Sequence, residues 1–569
     1  MVVNVPMAPL MRIARLLLPC LLAGASPTFA QQQLGPPPAY SIPPSLQIPP
    51  GTKIPSDEQL VASKARIGRI EIDVMNVFDL DNPEDNNWLY RLADRLHIPT
   101  RTSAIRALLL FQTGQLYNPE TLAETARNIR QNSGFMREPL IRPYRYHDGL
   151  IDVQVIVHDV WTLEPGIDFS RSGGANSWGF DFKDSNILGF GKSFEVGHSQ
   201  NVDRSSTFLN WSDPNVLGTR WTDSLQYAHN SDGTVWGAGA SYPFYSLESP
   251  YAAGIDAGNA HSVVERYRLG DRYDAYGNDW RTADLFGARA FVANERWTQR
   301  LMLGWRVDDS SFYQAPGHTL LAALPSDRNL SYPFARWQWT RNRYQTVDNL
   351  ALIARTEDVH MGLDASVGVG YATPLFGSDR NALIMDTEFS DAWQLGRRQQ
   401  LFVGGRAYGR FEDGAFHDAI AIASAQYYLA TSDHTRFFTS LNADAGHNLD
   451  GDHYFDLGGD TGLRGYPLRY QGGSQLALWT VEERLYTNWY PFRLFNVGAA
   501  AFFDMGRTWG STLVPIPQLG ALKDAGVGLR LGNARSAFGS VIHVDLAFPL
   551  NHAYNISGMQ FLVTTEASY

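Results

Sequence analysis

The chain has 569 residues, of which 44% are hydrophobic, 12% aromatic and only 18% charged, with a formal charge of −11 and one cysteine, Cys20. A single cysteine excludes a disulfide scaffold and a cysteine-based zinc site, and the negative charge argues against nucleic acid, whose phosphates need clustered cations. The mean hydropathy of −0.25 disfavours a bundle of membrane helices but not a transmembrane β-barrel, whose alternating strands average out.

The first 30 residues predict a secretory signal. Arg12 and Arg15 precede the apolar run Leu16–Leu22, and small residues lead to Thr28-Phe29-Ala30, an A-x-A-like end. The run is too short to span a bilayer, and Met11 offers a second start ahead of it. Cleavage after Ala30 takes the charge from −11 to −13, because it removes Arg12 and Arg15 and no acid, and it leaves no cysteine. Residues 31–63 read as a linker: segment 31–55 holds eight of the 30 prolines, and such a chain is extended and stiff.

Residues 64–165 predict a small α/β domain. Ile70, Ile72 and Val74 alternate with Arg69, Glu71 and Asp73 as in a half-buried strand. A helix is expected over Thr102–Thr113, capped by Thr102 or Ser103 and stopped by Gly114, and another from Asn118 with Pro119 in its first position. An extra helix is expected near Asn86–His97. Strands follow around Leu140–Tyr146 and Leu150–Val160, joined by a turn at His147-Asp148-Gly149. Nothing here forms a catalytic cluster. A small sheet with an open edge can instead add an extended peptide as a further strand, with Ile70, Ile72, Val153 and Val155 as the candidate docking residues; a plain spacer module is the alternative.

From 166 to 569 short alternating runs recur between turns rich in Gly, Asn, Asp and Ser. Phe286/Ala288/Ala290/Val292, Leu301/Leu303/Trp305/Val307, Phe437/Thr439/Leu441/Ala443 and Ile542/Val544/Leu546/Phe548 oppose polar faces carrying Arg306, Asp308, Asn442, Asp444 and Asp545. One apolar and one polar face per strand, in an exported chain, is the pattern of a membrane barrel with a watery lumen. At about 25 residues per strand and connection, roughly 16 antiparallel strands are expected.

Six segments carry a family resemblance. Gly462-Leu463-Arg464-Gly465-Tyr466-Pro467 resembles the [VL]-R-G-[YF] tip of the inward-folded loop in the BamA-like superfamily, also called the bacterial surface antigen family. Phe502-Phe503-Asp504-Met505-Gly506 resembles its F-x-D-x-G strand, Gly526-Val527-Gly528-Leu529-Arg530 its G-x-G-x-R strand, and Glu482-Glu483-Arg484 its E-x-R strand. Asn186-Ile187-Leu188-Gly189-Phe190-Gly191 and Asp213-Pro214-Asn215 resemble its first turn motifs. All six stand in family order. The resemblance implies a bacterial outer-membrane barrel preceded by one periplasmic POTRA-like domain. It implies a non-enzymatic machine for inserting or secreting a client polypeptide, surrounded by outer-membrane lipid and served by periplasmic chaperones, with no cofactor. One POTRA-like unit is fewer than the assembly factors and two-partner secretion pores carry, so a channel or structural barrel for small solutes or lipid stays open as the alternative.

The loop tip calls for an anchor. A guanidinium is planar, always charged and able to bond two acceptors, and Asp504 and Glu482 are the candidate partners of Arg464. Gly465, Tyr466, Gly506 and Arg530 complete the expected anchor. Phe169, Phe561, Val563 and Tyr569 mark the strands expected to close the barrel seam. Gly191-Lys192-Ser193 lacks the rest of a phosphate loop, and no G-x-S-x-G or H-E-x-x-H occurs. Asp444, Asp450, Asp452 and Asp456 around His447 and His453 offer oxygen donors for calcium, but a solvated acidic loop accounts for them, and no metal site is assigned.

Overall fold

The computed structural model describes residues 42–78, 80, 86, 88–353, 355–491, 495–533 and 540–567. The signal-like segment, linker residues 31–41 and the seam candidate Tyr569 lie outside them.

The α/β unit opens with α1 (Asp57–Ala62), held by a reciprocal Ser56–Gln59 capping box. It continues through β1 (Arg66–Met75), α2 (Trp88–Leu96), α3 (Thr102–Leu108), α4 (Pro119–Asn132), β2 (Met136–His147) and β3 (Leu150–Asp159). Helix α4 starts where the sequence places it, with the Asn118 side chain accepting from the Glu120 amide and Pro119 in the first turn. Helix α3 does not reach Thr113. The chain turns extended at Leu109, so that Leu109 and Phe111 enter the core at 3% and 5% exposure, and the residue before the helix is Arg101, with no side-chain cap.

The sheet order is β1-β3-β2, with β1 parallel and β2 antiparallel to β3. Strand β3 is therefore central. Ile151, Val153, Val155 and Val157 are fully buried, and Asp152 and Gln154 are buried too, so its alternation marks the two covered faces rather than a wet one. The outer edge of β2 carries Pro139 and Pro143, which remove amide donors and blunt the edge. Among the described residues β1 has one further main-chain partner, segment 114–117, and only at its start.

A closed barrel of 20 antiparallel strands follows. It begins with β4 (Leu163–Ser172), β5 (Ala175–Asp184), β6 (Ser193–Gln200), β7 (Ser205–Asp213), β8 (Thr222–Asn230) and β9 (Gly233–Tyr242). Three long strands follow, β10 (Tyr251–Arg268), β11 (Asp271–Ala293) and β12 (Trp297–Gln314). After β13 (Arg328–Arg341) a hairpin, β14 (Tyr344–Asp348) with β15 (Thr356–His360), leaves the wall. The wall resumes as β16 (Asp364–Ala372), β17 (Ala382–Gly396), β18 (Gln399–Glu412), β19 (Ala415–Ala430) and β20 (Thr435–His447). A long connection holds the small pair β21 (Phe455–Leu457) and β22 (Gln471–Gly473). Strands β23 (Gln475–Tyr486), β24 (Phe495–Trp509), β25 (Leu522–Asn533), β26 (Ser540–Pro549) and β27 (Gln560–Ala567) complete the circle.

The strand number corrects the expected 16. Strands β4–β9 are only 8–10 residues long and several turns are minimal, as at Gly173-Gly174, so 25 residues per strand and connection overestimates the spacing. Outward positions form an apolar belt: Val367, Val369 and Tyr371 on β16, and Val527 and Leu529 on β25, are 44–55% exposed. Exposed apolar residues outside and charges inside invert a soluble fold and suit a hydrocarbon surround. On β11 the parity is opposite to the expected one. Leu285 and Phe291 face outward, while Phe286 shares the inward face with the Arg306-bound Asp284 and lies over Gly254.

We call the barrel end beneath which the α/β unit lies proximal, and the other end distal. The unit touches successive proximal connections. The Arg101 amide and Nε donate to the Gly189 and Leu188 carbonyls, Arg220 donates to the Leu109 carbonyl, and the Leu247 amide donates to Glu124.

Candidate functional site

Connection 448–474 folds inward from the distal end of β20 and β23. Its tip is packed rather than merely tethered: Leu457, Leu463, Tyr466 and Tyr470 are fully buried against Leu476, Leu478 and Leu522. Gly465 permits the closest approach. A Cβ there would meet the Asp524 side chain at 2.7 Å, and without one the Gly465 amide donates to Asp524 Oδ2 at 3.0 Å. The Tyr466 hydroxyl donates to the Lys523 carbonyl at 2.7 Å and lies 3.0 Å from Asn551 Oδ1.

Arg464 meets Asp504 edge-on, Nε to Oδ2 at 2.7 Å and Nη2 to Oδ1 at 3.0 Å. Its Nη1 faces Asp545 at 3.4 Å and Glu482 at 3.5 Å, and the guanidinium stacks 3.4 Å above the Phe502 ring. Arg530 knits the carboxylates together, donating to Glu482 at 2.8 Å and to Asp545 at 2.5 Å. Asp504 and Asp524 are fully buried, Asp545 and Arg530 are 2% exposed and Glu482 3%. Such a network is stable only when nearly every member is paired, so it fixes one position of the tip. Gly506, on the same face of β24, backs onto Leu457 and Leu478.

Four of the six motif segments thus converge. The other two shape proximal turns. In both, the Asn amide donates to the preceding Asp at 2.9 Å, and Leu188 and Leu217 adopt φ of 52° and 53°. The first of these turns receives Arg101.

A second anchor crosses the closing seam. Among the described residues, strands β27 and β4 pair at one residue only, Val563 with Arg171, whereas neighbouring strands pair along their lengths. Phe169 and Phe561 lie exposed on the outer face beside that joint. On the β4 side, Arg469 binds Asp203 edge-on at 2.7 and 2.8 Å and the Leu468 amide donates to the Gly173 carbonyl. On the β27 side, Tyr466 and Tyr470 reach Asn551 and Tyr554. The tip therefore straddles the seam.

Asp524, Asp545, Arg469 and Asp203 are the members of this site that sequence reasoning missed. Asp545 left a trace only as one polar position in an alternating strand, and Phe502 stood in the F-x-D-x-G segment without being assigned to the anchor. The acidic loop is not solvated as expected. Asp418, Asp450 and His453 stand close together, but Arg410 and Arg328 bind Asp450 at 2.8 and 3.1 Å, Arg328 binds Asp452 at 2.7 Å, and His453 binds Asp418 at 2.7 Å. Two of these carboxylates, Asp450 and Asp452, thus already have arginine partners. Of the docking candidates, Ile70 and Ile72 lie on edge strand β1, where the Ile70 side chain is itself in the core at 8% exposure and Ile72 is partly open, whereas Val153 and Val155 face the core of central strand β3 and offer a client nothing.

No protein-family model matches the chain, and no curated protein sequence does. Among solved structures the chain is similar to BamA from Haemophilus ducreyi lacking POTRA domains 1–3, at 14% identity and a TM-score of 0.36, covering 87% of this chain and 85% of that one. It is similar to CdiB from Escherichia coli, at 14% identity and 0.45, covering 88% and 76%, and to CdiB from Acinetobacter baumannii, at 12% and 0.43, covering 89% and 74%.

Proposed function

We propose that the chain is an outer-membrane barrel of the BamA-like superfamily that inserts a client polypeptide into the outer membrane, or passes it across, without covalent chemistry. In this reading residues 1–30 are a signal peptide, 31–63 a linker, 64–165 a periplasmic POTRA-like domain and 166–569 the barrel, whose proximal end faces the periplasm. The observation that carries the reading is the pairing of the site: a loop tip locked by Arg464 and Arg469 straddles a seam joined at one residue pair. A closed sheet with one weak joint can exchange strands there, because unpaired edge groups accept a new strand. The open part of β1, at Ile70 and Ile72, would take the client first by strand addition. Outer-membrane lipid would surround the belt, and periplasmic chaperones would deliver the client.

Photo-crosslinkers placed in cells at Ile72, Phe169, Phe561 and Val563 test this, with buried Ile70, Val153 and Val155 as controls. Polypeptide adducts at the first four positions and none at the controls are expected. Clean surfaces, together with steady conductance in planar bilayers, would replace this reading by a channel for small solutes or lipid.

A further inference from the structure

A barrel of 20 strands is wide enough that its lumen must be water-filled or plugged. The tip of connection 448–474 enters it from the distal end and packs on one side, against β23–β25. The β14–β15 hairpin enters from the proximal end, and the site described above makes no use of it.

The hairpin leaves the wall between β13 and β16, and its tip ends against strands on the far side. Around the circle the order runs β13-β16-β17-β18-β19-β20-β23-β24-β25-β26, so β26 lies nearly opposite β13. Leu350 packs on Tyr428 of β19 and Phe438 of β20, and Leu352 and Ile353 pack on Tyr486 of β23 and Val541 of β26. All three tip residues are at most 6% exposed. Arg436 donates to the Asp348 carbonyl at 3.2 Å. At Gly532 of β25 a Cβ would press on Ile353 at 3.0 Å, so the wall is recessed where the tip seats. The tip is internally braced, since the Glu357 carboxylate accepts the amides of Leu350, Ala351 and Leu352 at 2.7–3.2 Å.

The hairpin's other side is held by the α/β unit. Arg130 of α4 binds Asp358 through Nε at 2.5 Å and Nη2 at 3.2 Å, and Gln131 donates to the Asp358 carbonyl. Arg127 stacks 4.4 Å over the Tyr344 ring. Asp358 is 3% exposed at its side chain, so this ion pair is shielded and its loss is not compensated by water.

We propose that the β14–β15 hairpin is a bar across the proximal mouth of the barrel and that Arg130–Asp358 is its latch, so that displacement of the α/β unit from the barrel releases the bar and opens the mouth. The device holds whether the cargo is a polypeptide or a solute, and it does not depend on the seam.

The test uses the full chain, cysteine-free once the signal is removed, with spin labels at Leu352→Cys and Val541→Cys. A single narrow distance distribution is expected with the native latch. Arg130→Glu should broaden it and raise conductance in planar bilayers several-fold, and Arg130→Glu with Asp358→Arg should restore both. Oxidising the two cysteines to a disulfide in the Arg130→Glu background should close the channel, and reductant should reopen it. A distribution that stays narrow in Arg130→Glu overturns the latch. Conductance that is the same in the oxidised and reduced proteins overturns the bar.

Discussion

Arg464 and Asp504 stand 40 positions apart in the chain and meet as a parallel two-point pair, with Asp504 fully buried and the Phe502 ring beneath the guanidinium. The pair joins the inward-turning distal connection 448–474 to wall strand β24.

Truncating Arg464 to alanine leaves Asp504 buried without its cation. Removing one partner of a buried pair costs about 3–5 kcal/mol, so urea unfolding of the folded barrel, read by its heat-dependent gel mobility, should shift to distinctly lower urea. Arg464→Glu should be worse, and adding Asp504→Arg should recover only part of the loss. The incomplete rescue follows from the geometry, since the new carboxylate would still face Glu482 and Asp545. Full rescue would mean that Arg464 answers to Asp504 alone.

The seam makes a second prediction. Arg171 and Val563 are directly opposed across it, and the chain's single cysteine, Cys20, can be replaced so that it does not compete. Arg171→Cys with Val563→Cys should form a disulfide on oxidation, seen as a mobility shift of the denatured protein. The locked barrel should keep its client crosslinks at Ile72 and lose client insertion, and reductant should restore insertion. A locked barrel that inserts client at the normal rate would exclude seam opening from the cycle.

Arg464, Asp504, Glu482 and Arg530 were legible because each stands in a segment that resembles a known motif, and a guanidinium in an inward loop calls for carboxylate partners. Asp524 and Asp545 were not legible, because an inward aspartate on a barrel strand looks like any lumen-facing polar residue until register sets it beside Asp504 and Arg530. The strand count failed on turn length, which alternation does not encode. The β14–β15 hairpin carries no sequence signal of its own, since what sets it apart is contact with strands far away in the chain. Val153 and Val155 misled because alternation along β3 tells its two faces apart but does not say that both are covered.

The α/β unit should weaken in acid through Asp152. Burial alone would push its carboxyl up, but the Arg69 amide at 2.7 Å, the Arg145 guanidinium at 2.6 Å and His147 hold it below the usual carboxylate range. A folded value below the unfolded one, about 3.9, gives stability that is complete above the unfolded value and is lost as pH falls through the folded one. Amide protection of β1 in the full chain, corrected for intrinsic exchange, should therefore drop below about pH 4. Asp152→Asn should lower protection at neutral pH and flatten this dependence, by about 1.5–3 kcal/mol for a hydrogen bond to a charged group. An unchanged acid profile in Asp152→Asn would assign the acid loss to other carboxylates.

The junction between unit and barrel rests on Asp159, at the end of β3 and 1% exposed. One oxygen accepts the Thr100 amide at 2.8 Å and faces His97 Nε2 at 2.9 Å, while the other accepts the Thr100 hydroxyl at 2.6 Å. That hydroxyl in turn accepts from Asn186 in the β5–β6 turn at 2.8 Å. A single carboxylate thus orients the strand that leads into the barrel and the loop that seats on its first proximal turn. Asp159→Ala should leave the barrel folded but free the unit to swing, because the carboxylate's acceptors vanish from a buried site at about 1–3 kcal/mol per unsatisfied group. Spin labels on the unit and the barrel should show a broadened distance, and protease should cut first between Val160 and Leu163. Because the unit also carries Arg130, Asp159→Ala should raise conductance as Arg130→Glu does. A freed unit with native conductance would show that the latch holds without the junction, and that the two contacts act separately.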